Sequence, residues 1–242
     1  MGIKYAVNEK FFDTWSMQMA YILGFLYADG HLEDSPNIRG KYVRVINTDP
    51  DRVEIIRELL QSRHIISIRK DAGTNHKPAF LLRIGSYRLY NRLCEIGMTP
   101  RKSLTMKFPD VPAKYLSSFV RGYFDGDGCV HLERYEDNGK IRPAKRMRTI
   151  FTSGSKKFLE TLSKVLRAHA GIDKYVLHKH TKKGSFQLRL SSENSVRLFM
   201  FMYSTALPRL YLKRKCAIFT QYFKERPEWV NVKVRRTLKH IQ

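Results

Sequence analysis

The chain repeats itself. "YILGFLYADGHLE", which begins at Tyr21, returns as "FVRGYFDGDGCVHLE" from Phe119. At an offset of 98 residues, Tyr21, Gly24, Phe25, Ala28, Asp29 and Gly30 match Phe119, Gly122, Tyr123, Gly126, Asp127 and Gly128. Further on, "AFLLRIGS" (Ala79–Ser86) matches "SFQLRLSS" (Ser185–Ser192) at an offset of 106. The extra residues fall in "RYEDNGKIRPAKR" of the second copy. An internal duplication constrains the fold strongly, because one architecture must serve both halves. Two copies are too few for a solenoid, so a pair of like units is expected.

Each copy reads in the same order. A helix runs into the Asp-Gly pair and a strand pair follows, with Tyr42–Asn47 and Met147–Thr152 as second strands. Asp49 stands at a cap position before Pro50, and Val53, Ile56 and Leu60 share a helical face behind it. Phe158, Leu162 and Val165 do the same in copy two. In the last strands Phe80, Leu82 and Ile84 alternate with Arg83, and Phe186, Leu188 and Leu190 with Gln187 and Arg189. Closing helices are expected at 87–96 and 194–203. The predicted fold is α+β: two pseudo-symmetric αββαββα units, each an antiparallel sheet with helices on one face and a polar, basic face opposite. The units span 1–98 and 114–225, joined by a proline-rich linker at 99–113 and followed by a basic tail at 226–242 with little amphipathic order.

Charge narrows the partner. Lys and Arg number 45 against 22 Asp and Glu, a net charge of +23 spread over both halves. That excess points to a polyanion, and no apolar run approaches bilayer length, which disfavours membrane. The 3 cysteines form no CxxC pair, so neither a zinc ribbon nor a disulfide framework is expected. The N-terminal stretch has no secretory apolar core, and Ala6 stands where a myristoylation signal places Ser or Thr. A reduced, intracellular protein is expected.

Within the repeated helices, Ala20, Gly24 and Ala28 recur every four residues, as do Ser118, Gly122 and Gly126. Positions four apart share one helical face, so each helix carries a stripe almost without side chains. Glycine inside a helix costs about 1 kcal/mol relative to alanine, and close approach of two helices supplies the reason. Gly24 and Gly122 then lie at a helix–helix interface. Asp29 and Asp127 meet at one end of that pair, where both helix dipoles already disfavour negative charge. Such an arrangement repels itself unless a divalent cation occupies it, and oxygen donors of this kind suit Mg²⁺. "DGDG" is a poor calcium loop, because a required ligand position holds Cys129. His178 and His180 lack a third zinc ligand at motif spacing.

At these residues the chain resembles the LAGLIDADG homing endonucleases in their single-chain, two-motif form. The nine-residue motif reads "ILGFLYADG" (Ile22–Gly30) and "VRGYFDGDG" (Val120–Gly128), and the αββαββα order extends the resemblance to about Phe223. It implies that the motif helices form the interface, with Asp29 and Asp127 as catalytic metal ligands and the carbonyls of Ala28 and Gly126 beside them. It also implies one basic residue per copy near the cleaved bond: Lys102 in "PRKS", and Lys213 or else Lys215 in "LKRK". A polar residue ending the second strand would order metal-bound water, for which Asn47 and Thr152 are the candidates. Two positions depart from the pattern. The sixth motif residue is Tyr27 in copy one but Asp125 in copy two, and Arg121 replaces a small or apolar residue.

The function these features imply is site-specific cleavage of double-stranded DNA by a monomer at a long, pseudo-palindromic site. Arg83, Gln187 and Arg189 are the leading base-reading candidates, with Arg44, Arg69, Arg146 and Arg148 behind them. The rival class is a binding protein that does not cut: an intron RNA maturase, for which RNA is the partner, or a repressor. Loss of either motif aspartate would favour it, and both are present. Met1 and the ending "HIQ" offer no nucleophile or terminal Asn for a protein-splicing element.

Overall fold

The duplication is built as two like halves. A computed structural model of the protein describes residues 5–35, 40–70, 77–180 and 184–241. The first half runs α1 (Met17–Asp29), β1 (Gly30–Ser35), β2 (Gly40–Asn47), α2 (Pro50–Leu59), β3 (Ile66–Arg69), β4 (Ala79–Gly85) and α3 (Tyr87–Glu95). The second begins with α4 (Leu116–Asp127) and β5 (Gly128–Glu133), then a short hairpin of β6 (Glu136–Asp137) and β7 (Lys140–Ile141). It continues through β8 (Arg146–Ser153), α5 (Lys156–Ala170), β9 (Val176–His180), β10 (Ser185–Leu190) and α6 (Ser192–Tyr203). Apart from the hairpin, both halves are αββαββα. The hairpin occupies the extra residues of copy two. It turns on Asn138-Gly139, both at positive φ, the pair that a two-residue hairpin turn favours.

Each half holds one four-stranded antiparallel sheet, ordered β1-β2-β4-β3 in the first and β5-β8-β10-β9 in the second. The alternation seen in the sequence sets which face is buried. Leu82 and Ile84, with Leu188 and Leu190, go into the core, and Val43 and Val45 join them from β2. Arg44 pairs in register with both His31 and Arg83, so the three form one row on the opposite face. Local chemistry starts the helices. Side-chain oxygens of Ser16, Ser86 and Ser155 accept from the backbone N–H three residues on. Asp49 holds the expected cap position but turns its carboxylate to Arg214, at 2.9 Å. Its N–H is taken instead by Asn47 Oδ1, at 2.7 Å.

Two helices lie beyond the repeat. α7 (Lys213–Glu225) returns its N-terminus to the motif helices and, after a 3-10 turn at Pro227–Trp229, α8 (Val232–His240) packs on α6. The tail is therefore ordered where little order was expected. Asn231 caps α8 through Val234 N–H at 3.0 Å, and Val234 and Thr237 are buried. Their spacing with Leu238 and Ile241 is helical, though diluted by five basic residues. No helix among the described residues is long and apolar enough to cross a membrane. Cys94, Cys129 and Cys216 are free thiols.

Glu225, at the end of α7, ties the hairpin loop to the body. Burial raises its carboxyl, but hydrogen bonds from Arg134, Gln221 and the Ala144 N–H outweigh that and hold it down to about 2. A depressed carboxyl stabilises the fold above its ordinary value, and that stability is lost as pH falls through the folded value. The Glu225 contribution should therefore disappear between about pH 4.5 and 2. In acid titrations followed by circular dichroism, Glu225→Gln should be less stable than wild type at pH 7. The difference should shrink across that window. Parallel curves would show that the carboxylate contributes nothing.

Candidate functional site

Both motif helices end in the same way. Gly30 N–H closes onto Leu26 O and Gly128 N–H onto Phe124 O, and each glycine leaves in extended conformation as the first residue of a strand. Asp29 and Asp127 are thus the last helical residues of α1 and α4. The helices touch backbone to backbone. A Cβ built at Gly24 would stand 2.0 Å from the Phe119 carbonyl oxygen, and one at Gly122 would stand 2.0 Å from that of Tyr21. At the lower end, a Cβ on Gly126 would lie 2.3 Å from the Ala28 Cβ and 3.2 Å from Asp29 Oδ2. Only that missing methyl leaves room for the two helix ends, and hence the two aspartates, to meet.

Two lysines occupy the carbonyl ends of these helices. Lys102 Nζ donates to Gly30 O at 2.5 Å and Ala28 O at 3.4 Å. Lys215 Nζ donates to the carbonyls of Phe124 (2.7 Å), Asp125 (2.8 Å), Gly126 (3.3 Å) and Gly128 (2.5 Å). They are 7 % and 5 % exposed, unusually deep for lysine, and they satisfy carbonyls that a helix C-terminus leaves open. Burial lowers both ammonium groups, Lys215 to about 8. Lys102 owes most of its compensating support to Asp127, and Asp29 is supported more by Lys215 than by Lys102. Each lysine therefore sits on its own helix end and supports the carboxylate of the other helix, although the largest support for Lys215 itself comes from Asp125 of its own helix.

The second-copy lysine at the site is Lys215, not Lys213. Lys213 opens α7 and stands exposed. Helical spacing distinguishes the two, since Lys215, Phe219 and Tyr222 form the buried face of α7.

Asn47 reaches the site: its Nδ2 donates to Asp29 Oδ2 at 2.7 Å. Thr152 does not. Strand register pairs Asn47 with Phe80 and Ser153 with Phe186, so Ser153 is the structural counterpart of Asn47. Thr152 is one residue out of step and therefore on the other face of its sheet, paired with Gln187. Ser153 Oγ accepts the Ser155 N–H, copying the Asn47 turn at Asp49. The two carboxylates consequently differ. Burial raises Asp29, and the Asn47 amide opposes it. Asp127 opens to solvent at the mouth of the site yet is crowded by protein on its other sides. That partial desolvation, with the charge of Asp29, pushes it up to about 6.

The donor set fits a hard divalent cation. Two mutually repelling carboxylates at negative helix ends, with the Ala28 and Gly126 carbonyls alongside, supply oxygen only. No cluster of three or more His, Cys, Asp or Glu that could hold a metal occurs among the described residues.

The base-reading candidates lie on the polar sheet faces. Arg83 donates to Glu33 at 2.8 Å and stacks on the Tyr42 ring at 3.4 Å, with Arg44 beside the same carboxylate at 3.6 Å. Arg69 is exposed on β3. In the second sheet Arg148 pairs with Glu133, which lies opposite exposed Arg146, and Arg189 donates to Gln187 at 2.7 Å. Arg146, Arg148, Arg189 and His178 line an open depression of about 680 Å³ on this face.

Residues 114–201, which contain the second motif, match the family model of the LAGLIDADG-like domain. Over most of its length the chain shares the fold of solved LAGLIDADG homing endonucleases. It is similar to the homing endonuclease I-WcaI bound to its DNA recognition sequence, at a TM-score of 0.57 and 12% identity, covering 85% of this chain and 90% of that one. It is also similar to I-DmoI in complex with DNA and Mn (TM-score 0.54, 19% identity, 79% and 98% covered). A third is the meganuclease I-AabMI bound to uncleaved DNA (TM-score 0.56, 12% identity, 92% and 98% covered). No curated protein matches the chain by sequence.

Proposed function

We propose that the chain is a site-specific double-strand DNA endonuclease, a homing endonuclease that hydrolyses phosphodiester bonds with Mg²⁺ and acts as a monomer. The observation that carries this reading is the meeting of Asp29 and Asp127 at adjoining helix ends, each overlooked by a buried lysine. A bound divalent cation supplies charge neutralisation at the phosphate and a more acidic water. Asp29, Asp127 and the Ala28 and Gly126 carbonyls would hold it. Asn47 orients Asp29 and, in this reading, a water near it. Lys102 and Lys215 place positive charge where the phosphate gains negative charge on cleavage. The polar sheet faces bind the duplex, with the named arginines and Gln187 divided between bases and phosphates. The relatives captured with DNA, and with Mn in one case, support this reading without supplying the target. Because the two sheet faces differ in sequence, the site need not be a true palindrome.

Incubation with Mg²⁺ and a plasmid library, followed by sequencing of cut ends, should return one long target cut on both strands. Binding to that target should weaken log-linearly with salt, by about a thousandfold or more between 50 and 200 mM. A nearly flat salt response would overturn the nucleic-acid reading. Steep salt dependence without cutting would leave a binding-only maturase or repressor.

A further inference from the structure

Position six of the motif differs between the copies: Tyr27 in α1 and Asp125 in α4. Asp125 is 2 % exposed, and one of its oxygens gathers two hydrogen bonds. Oδ2 accepts the Leu212 N–H at 2.8 Å and the Tyr21 hydroxyl at 2.7 Å. Leu212 is the cap residue of α7, three residues before Lys215, and the Asp125 backbone carbonyl is itself one of the Lys215 acceptors. The same few residues thus fix both the start of α7 and its distance from the motif helix. Arg121 and Arg52 complete the clamp. Arg121 is fully buried and donates to the carbonyls of Leu210 and Met202, while Arg52 donates to Tyr21 Oη at 3.2 Å and to Arg209 O at 2.7 Å. Segment 202–212, which leads into α7, is therefore held by polar side chains from the second motif helix and from α2, with Tyr21 of the first motif helix joining the two.

Among the described residues, copy one has no such clamp. Tyr27 sits among Phe119 and Phe158, and its hydroxyl is buried with no hydrogen-bond partner. The segment carrying Lys102 is held from outside instead. Ser155 Oγ donates to Met106 O at 2.7 Å, and Gly154 lies so close that a Cβ would be 2.3 Å from Ser103 O.

We propose that Asp125 is a positioning residue for Lys215 alone: through the Leu212 N–H it docks α7 on the second motif helix, and through Tyr21 it ties that docking to the first. The consequence for cutting rests on the endonuclease reading above. The positioning itself does not. Asp125 governs the half of the site that Lys215 serves, and Lys102 is independent of it. Both hydrogen bonds land on one oxygen, so asparagine, which keeps one acceptor there, preserves the clamp, and alanine removes it.

Two measurements test this. In amine acylation read residue by residue by mass spectrometry, Asp125→Ala should label Lys215 about tenfold faster or more, with Lys102 unchanged. Asp125→Asn, which keeps the acceptor for Leu212 and Tyr21, should label Lys215 more slowly than the alanine variant. Unchanged Lys215 labelling in the alanine variant, or equal acceleration at Lys102, would overturn the proposal. In the cleavage assay, Asp125→Ala should accumulate a nicked intermediate with the same strand left intact as in Lys215→Met, and the opposite strand to Lys102→Met. Equal slowing of both strands, or survival of the wrong one, also overturns it. If wild-type protein cuts no DNA, the endonuclease reading fails, and the labelling result still decides whether Asp125 positions Lys215.

Discussion

Asp29→Asn and Asp127→Asn should each leave DNA binding within a few-fold of wild type and lower the cleavage rate by about three orders of magnitude, roughly 4 kcal/mol of barrier. The amide matches the carboxylate in size, and Asn47 can still donate to an oxygen at position 29, so the helix ends keep their form. Charge is what disappears. A neutral pair no longer holds a divalent cation against competing water, and the phosphate loses the neutralisation that cutting requires. Binding survives because the lost carboxylates faced a polyanion. In the metal-free protein the same change should stabilise the fold. Asp127 has a raised carboxyl, so its ionised form destabilises the folded chain. That penalty is absent at low pH, grows as pH rises from the ordinary value of 3.8, and is complete above about 6. Asp127→Asn should accordingly melt higher than wild type at pH 7.5, and the gain should fade below pH 6. Gel-shift binding in Ca²⁺, cutting in Mg²⁺ and thermal melts without metal measure the three effects. Full double-strand cutting by the double asparagine variant would remove these residues from the site. Loss of binding together with cutting would make them structural.

The duplication made most of the fold legible, because every element could be checked against its counterpart a hundred-odd residues away. It also explains where sequence reasoning slipped. Matching Asn47 to Thr152 uses an offset of 105, yet the neighbouring strands match at 106. Adjacent strands share a register, so the later offset applies to β8 as well, and it selects Ser153. A one-residue error moves a side chain through the sheet. Lys213 and Lys215 could likewise be separated once α7 is recognised as a helix with one buried face. The Asp125 clamp was beyond reach. Apart from the Tyr21 hydroxyl, its partners are backbone groups at Leu210, Met202 and Leu212, more than 80 residues away, and backbone atoms leave no trace in residue type. From sequence, Asp125 and Arg121 were visible only as departures from a motif. Buried charged residues of this kind need partners, and the chain supplied them from a segment between elements.

Gly24→Ala and Gly122→Ala should be among the most damaging single substitutions available in this chain. A methyl group at either position meets a carbonyl oxygen of the facing helix at 2.0 Å, where ordinary contact is about 3.4 Å. The obstacle is backbone, so no side chain can turn away to relieve it. The helices must separate by more than an ångström, or one must slide, and either movement opens a core of closely packed aromatic residues. Alanine is otherwise the better helix former by about 1 kcal/mol, so the expected loss runs against local propensity and isolates the packing effect. Upwards of about 3 kcal/mol is reasonable for backbone overpacking, a fall of roughly 10 °C in melting temperature for a chain of this size. Lys164→Ala, on the exposed face of α5, is the control and should shift melting by less than about 2 °C. Because the glycines set the spacing at which Asp29 and Asp127 meet, any surviving folded protein should also cut poorly while still binding DNA. The decisive comparison is between the glycine variants and the control. If Gly24→Ala and Gly122→Ala melt within about 2 °C of wild type and cut at its rate, the helices are not in backbone contact, and the two carboxylates are not brought together as described.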